Sequence, residues 1–410
     1  MTGLRVAACH PTSDVVGSSL SPISPARTFM ADSHTDDLPL RGLRIVEVAN
    51  VVAGPSVGRH LSDFGAEVIK VESLEHGDAA RTLGEPLEVD GTDSPSAWWT
   101  LVGRNKRTIA LDLSSPAGHA AFLRLIDTAD ALVDSFRPGV LERLDLEPGK
   151  LQERNEKLIV LRISGFGQTG PYRSRPGFGT LAEAYAGLAA ISGEENGPPL
   201  LAPAAIADEI TGLVGTWSLL AALYHRDVHG GPGQTIDVSL YESLLSVLGP
   251  LPALYQHRGY LQPRRGSRLP FSSPRNVYET RDGHHFVVSG SSAPAAERAV
   301  KLVGGEELLA DPRFASADAR REHADDLDAA VAKWFAQHEA LQVEAMLEEA
   351  GVAGMRVMTM ADIFEDEHYR ARGSIVEVPD ERHGSIAMAA PVPRMSRTPG
   401  RIAWSGRDLG

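Results

Sequence analysis

LRIVEVANVVAGPSVGRHLSDFGAEVIKVE, residues 43–72, changes periodicity twice, and that change decides the fold class. Residues 43–48 (LRIVEV) are a short apolar run of the kind a buried strand shows. Residues 56–64 (SVGRHLSDF) have helical spacing and stop at Gly65. Residues 67–72 (EVIKVE) return to the strand pattern. A strand, a helix and a strand in so short a span make a right-handed βαβ unit with parallel strands.

The alternation continues outward. Strands are expected at 108–113, 131–136 and 158–164, with helices at 116–128 and 140–144 between them. Pro116 opens the first of these helices, where its missing N–H costs nothing. Helical composition returns at 181–192 and 210–225, and GGPGQ (230–234) turns into a strand at 235–239. The reading is α/β: a Rossmann-like large domain with a mostly parallel sheet covered on both faces. Further on, 276–280 and 284–289 flank the turn Arg281-Asp282-Gly283 and form a β-hairpin. Helices follow at 294–303, 325–338 and 340–350, which gives a smaller α+β domain. The expected organisation is a disordered leader over 1–39 and a large domain over 40–245, completed by about 380–410. A linker at 246–270, the small domain at 271–355 and a return linker at 356–379 make up the rest.

Composition narrows the partners. Against 40 Lys and Arg stand 54 Asp and Glu, a net charge of −14 that repels phosphate polymers and argues against nucleic acid. A phosphorylated ligand must therefore find a local basic pocket. Cys9 is the single cysteine, which removes internal disulfides and Cys-rich metal sites. The apolar run before Cys9 is too short for a signal peptide. The longest apolar stretch, 213–224, falls short of the roughly 20 residues that span a bilayer, so no membrane association is expected and a cytoplasmic location fits.

Two motifs point to familiar chemistry and fail on context. GFGQTG (165–170) fits G-x-G-x-x-G after a strand, but Pro171 and Pro176 forbid the helix a dinucleotide site needs. His225 and His229 have zinc-ligand spacing without a third ligand, and Gly230 ends the helix at once. No metal site is expected.

Several blocks together resemble the family III CoA-transferases, a group that includes formyl-CoA transferase, carnitine CoA-transferase and the α-methylacyl-CoA racemases. They are GLRIVEV (42–48), AGP (53–55), LSDFGAEVIKVE (61–72), NKRTIALDL (105–113), ADALVDSFRPG (129–139), GFGQTGPY (165–172) and GPGQTIDVSLYE (231–242). The resemblance runs from about residue 40 to the end and keeps the family's order. It implies an enzyme that moves CoA from an acyl-CoA donor to a carboxylic acid, with CoA as substrate and no tightly bound cofactor. It also implies a homodimer of interlocked chains.

The family's nucleophile is an Asp ahead of an apolar helix, and AIADEITG (205–212) matches it at Asp208, with Glu209 as the fallback. Asp208 could equally be a plain N-cap, and a helix N-terminus would keep its carboxylate ionised in either role. Glycines 165, 167 and 170 would let backbone come close to the acyl group. Arg104, Lys106, Arg107, Arg137 and Arg143 gather near predicted strand ends, where ligands of open α/β sheets bind. By resemblance, Val52, Ala53, Leu111, Ser135, Phe136, Arg137 and Arg143 line the CoA groove. Asn50-Val51-Val52 replaces the His-x-Gln of formyl-CoA transferases, and their Gly-rich loop is not evident around 255–275, which argues against formyl or oxalyl substrates. The racemases carry a Gly-His-Asp triplet where this chain has Gly177-Phe178-Gly179, so their acid–base pair is missing. A non-catalytic acyl-CoA-binding protein is the reading from another class, and Asp208 speaks against it.

Overall fold

The computed structural model describes residues 38–87 and 96–409. The expected leader falls outside these residues except for Leu38 and Pro39. Six parallel strands form the main sheet: β1 (Arg44–Glu47), β2 (Glu67–Glu72), β3 (Arg107–Ala110), β4 (Ala131–Asp134), β5 (Ile159–Ser164) and β6 (Thr235–Ser239). Their order is β3-β2-β1-β4-β5-β6, with Val46 in register with both Ile69 and Leu132. The chain therefore winds outward from β1 in one direction and then from β4 in the other. Between the carboxyl ends of β1 and β4 the direction reverses, which opens the crevice where such sheets take ligands.

Burial on both faces explains the apolar runs of the central strands β1, β4 and β5, while the edge strands β3 and β6 are partly exposed. One face packs Ile45, Val133 and Leu161 beneath the helices Ala53–Asp63 and Ile206–His229. The other packs Val46, Leu132 and Val160 against Phe122, Ile126 and Leu151. The two helices on the first face cross at glycines. A Cβ built on Gly212 would lie 2.7 Å from Ser56 Cβ, and one on Gly215 would lie 2.9 Å from Val57 Cγ2. The helix Ile206–His229 is long and apolar enough to cross a membrane by length and composition, yet Leu219, Ala222 and Leu223 pack it onto the sheet.

A second core surrounds the hairpin of β7 (Arg275–Glu279) and β8 (His285–Ser289), where Tyr278, Phe286, Phe314, Leu327, Phe335 and Val343 meet. β9 (Gly354–Arg356) adds an unexpected third strand to β8. The expected linker contains the helix Leu251–Arg258, none of whose residues is buried, so it has no apolar face to announce it. The expected return linker contains two short helices and most of β10 (Ile375–Asp380), which pairs antiparallel with β11 (Gly384–Ala389). Residues 401–408 then run back along the main sheet. Arg401 N–H donates to Asp63 O (2.8 Å), Trp99 Nε1 donates to Arg407 O (2.8 Å), and Asn105 Oδ1 accepts from Ala403 N–H (2.7 Å).

Candidate active site

The residues assigned to the groove by resemblance collect at the carboxyl ends of β1, β3 and β4. Val52 and Ala53 begin the helix that follows β1, and both are buried. Ser135, Phe136 and Arg137 follow β4, with Phe136 N–H donating to Asp134 Oδ1 (2.7 Å). Ser135 Oγ reaches across to accept from Asn50 N–H (2.9 Å), so the two loops are joined at the crevice. A Cβ on Gly54 would fall on Ala49 Cβ and 3.2 Å from Ser135 Cβ, which explains the glycine of Ala-Gly-Pro. Leu111 follows β3 and packs partly buried in the same core as Phe136. Arg143 closes the short helix Val140–Arg143, entered through Gly139 at φ +89°. Arg137 and Arg143 are exposed and have no ion-pair partner among the described residues.

Of the other three expected cations, Lys106 and Arg104 are buried in ion pairs and Arg107 stays exposed at the amino end of β3. Lys106 is fully buried, with Nζ 2.8 Å from Glu47 Oε2 and 2.7 Å from Pro55 O. Burial, and the charge of Lys70 beyond it, push its pKa down to about 8. Arg104 is buried on Asp63 (2.5 Å), and Arg107 opens β3 in a pair with Glu67 (3.0 Å). Desolvated cations need carboxylates within the chain, and Lys106 and Arg104 found them, whereas Arg107 stays exposed.

Asp208 lies third in the helix Ile206–His229, whose N-cap is Ala205; the N-cap reading is therefore corrected. Its half-buried carboxylate has no side-chain hydrogen-bond or ion-pair partner among the described residues. Burial, then the charges of Glu209 and Glu183, raise its pKa to about 6. Glu209 is occupied elsewhere: it accepts from Ser56 Oγ (3.1 Å) and pairs with Arg59 (2.5 Å), which ties the two crossing helices together. Glu183, which sequence reasoning missed, is buried on the helix Gly179–Ala186 and accepts from Ala202 N–H (2.8 Å).

The glycines of residues 165–179 pack closely, and the last of them adjoins this carboxylate. Gly165 and Gly177 touch backbone to backbone, so a Cβ on either would overlap the other's Cα. A Cβ on Gly179 would fall on Asp208 Oδ2. The racemase triplet thus ends here in a residue whose missing side chain makes room for Asp208, and the preceding Phe178 is 60% exposed. Residues 165–170 form bends with Gly167 and Gly170 at positive φ, and no helix starts on them. Among the described residues, no group of three metal-ligating side chains occurs.

The chain as a whole resembles known proteins. The chain matches the CoA-transferase family III model over residues 40–410. It is 39% identical to a succinyl-CoA–D-citramalate CoA-transferase of Chloroflexus aurantiacus, over 91% of each chain. It is 35% identical to the beta subunit of a succinyl-CoA–L-malate CoA-transferase of the same organism, over 92% of this chain and 93% of that one. A crystal structure of a CAIB/BAIF family protein from Brucella suis superposes with a TM-score of 0.79 at 31% identity, covering 90% of this chain and 96% of that one. The fold, the ordered motifs and these likenesses agree: the chain belongs to the CoA-transferase family III.

Proposed function

We propose that Asp208 carries the acyl group and then CoA in transfer from a short dicarboxylyl-CoA, succinyl-CoA foremost, to a carboxylic acid. One observation carries the choice of residue. Of the two adjacent carboxylates at the start of the helix, Glu209 is held by Ser56 and Arg59 while Asp208 has no side-chain partner. The donor class follows the relatives, which are named for succinyl-CoA and the hydroxy acids citramalate and malate.

The steps balance without a co-reactant. An Asp208 oxygen attacks the thioester carbonyl, the C–S bond breaks, and CoA leaves as thiolate from an acyl–aspartyl anhydride. The thiolate attacks the aspartyl carbonyl, which releases the donor acid and leaves an aspartyl-CoA thioester. The acceptor carboxylate attacks that thioester and the sequence runs in reverse, regenerating Asp208. A carboxylate with pKa near 6 suits this work: it is more basic than ordinary carboxylic acids, yet about nine-tenths ionised at pH 7. Backbone N–H groups of the glycine loop are the candidates to hold each oxyanion.

CoA would lie along Val52, Ala53, Leu111, Ser135, Phe136, Arg137 and Arg143, with the exposed Arg137 and Arg143 facing its phosphates. A homodimer goes with this reading. Leu213, Trp217, Tyr224 and Val228 form one exposed apolar face of the nucleophile helix, suited to a second copy of the chain. The test is chemical. Wild-type protein given succinyl-CoA and then hydroxylamine should carry a hydroxamate at Asp208 by peptide mass mapping. Loss of exchange in Asp208→Asn without such a mark in the wild type would defeat the covalent route.

A further inference from the structure

We propose that Asp78 is a positioning residue for the CoA groove, acting through the strained turn at Val51. The inference rests on the reading above that the turn before Ala53 borders CoA. Val51 is β-branched and sits at φ +71°, a conformation that glycine adopts freely and valine does not. Such strain persists only where the surroundings over-determine it, and it gathers at ligand clamps.

The surroundings here are a chain of buried charges. Asp78 is fully buried, and its Oδ1 accepts from Val51 N–H (2.9 Å) and from Ala80 N–H (2.8 Å). Its Oδ2 lies 2.6 Å from Lys70 Nζ. The Lys70 ammonium also donates to Ala49 O (2.6 Å) and to Glu47 (3.0 Å), the last residue of β1. Lys106 binds the same Glu47 and reaches Pro55 O in the helix. Four buried side chains therefore grip the strand end, the turn and the helix start in succession. The residue between, Asn50, donates to Ser135 Oγ on the facing loop. Buried ion pairs are poor sources of net stability, since desolvation offsets their attraction. Their defensible role is to fix one geometry, and the geometry fixed here is the turn that begins the groove.

Asp78 also caps the short turn Ala79–Thr82, so a purely structural role is the rival. CoA affinity by titration calorimetry, with KM and kcat for succinyl-CoA, separates the two in Val51→Gly, Asp78→Asn, the double variant and Arg143→Ala. Val51→Gly can adopt the same backbone and is expected to fold, but glycine also adopts many others, so the turn is held less firmly. It should bind CoA five- to tenfold more weakly, with KM rising by the same factor and kcat changing less. Asp78→Asn should lose a similar factor, and the double variant no more than the weaker single, because both act on one turn. Additive losses, or unchanged CoA affinity in Val51→Gly while Arg143→Ala weakens it, would overturn the inference and leave the groove standing. Unchanged affinity in all of them overturns the groove reading and this inference with it. Weakened affinity in Val51→Gly without a covalent mark in the wild type would defeat the nucleophile alone.

Discussion

As the proposed nucleophile, Asp208 should set the pH behaviour. Exchange needs its ionised form, so kcat/KM for succinyl-CoA should fall as pH drops through about 6, to roughly a tenth by pH 5. A profile flat to pH 4.5 would mean another nucleophile. Because the folded pKa is raised above the ordinary Asp value, the native state holds a proton that the unfolded chain has released between about pH 4 and 6. Stability is therefore lost as pH rises through that window. Asp208→Asn should remove at least about 10³-fold of kcat. At pH 7.5 it should raise the urea-unfolding free energy by about 1–2 kcal/mol, after allowance for partial solvent screening. An Asn variant no more stable than wild type would contradict the buried-charge account. At this scale the sequence was legible in part. Family motifs picked Asp208, but its burial and its neighbour Glu183 come from a helix turn and a loop that no spacing rule brings together.

Two close approaches between elements bear on catalysis. Gly179 begins its helix against Asp208 Oδ2, so Gly179→Ala should push the carboxylate aside, leave the chain folded and lower kcat about 10²-fold. Unaltered turnover would show that the carboxylate has room to spare. At the helix crossing, alanine in place of Gly212 gains about 1 kcal/mol of helix propensity but forces a methyl toward Ser56, an overpacking cost of about 1–3 kcal/mol. Net destabilisation of about 1 kcal/mol is expected in urea titration, with disturbance of the Ser56–Glu209 bond; a stabilised variant would show that the crossing yields freely. The central strands were legible from short apolar runs, and 67–72 and 235–239 form as expected although Lys70 and Asp237 interrupt them. The helix Ile206–His229 starts four residues before its expected bound because Ile206-Ala207-Asp208-Glu209 has no capping side chain to mark the start. In β10 and β11 only Val378 and Met388 are buried, too few for a period of two to show.

For the whole molecule, light scattering should give twice the 43.9 kDa of the chain and keep that value on dilution to nanomolar concentration. A folded monomer would refute the interlocked dimer. The sequence located the return of the chain near its end only as a Pro- and Arg-rich connection, because segments held by backbone hydrogen bonds need no apolar pattern. That return imposes an order of assembly. On the ribosome, the whole parallel sheet has been made once Ser239 has emerged, yet Trp99, Asn105 and the Asp63 carbonyl still lack their partners. They wait for residues 401–408, some 160 positions later in synthesis. A nascent chain stalled before that point carries the proposed nucleophile and its crevice, but shows an open flank to chaperones and proteases.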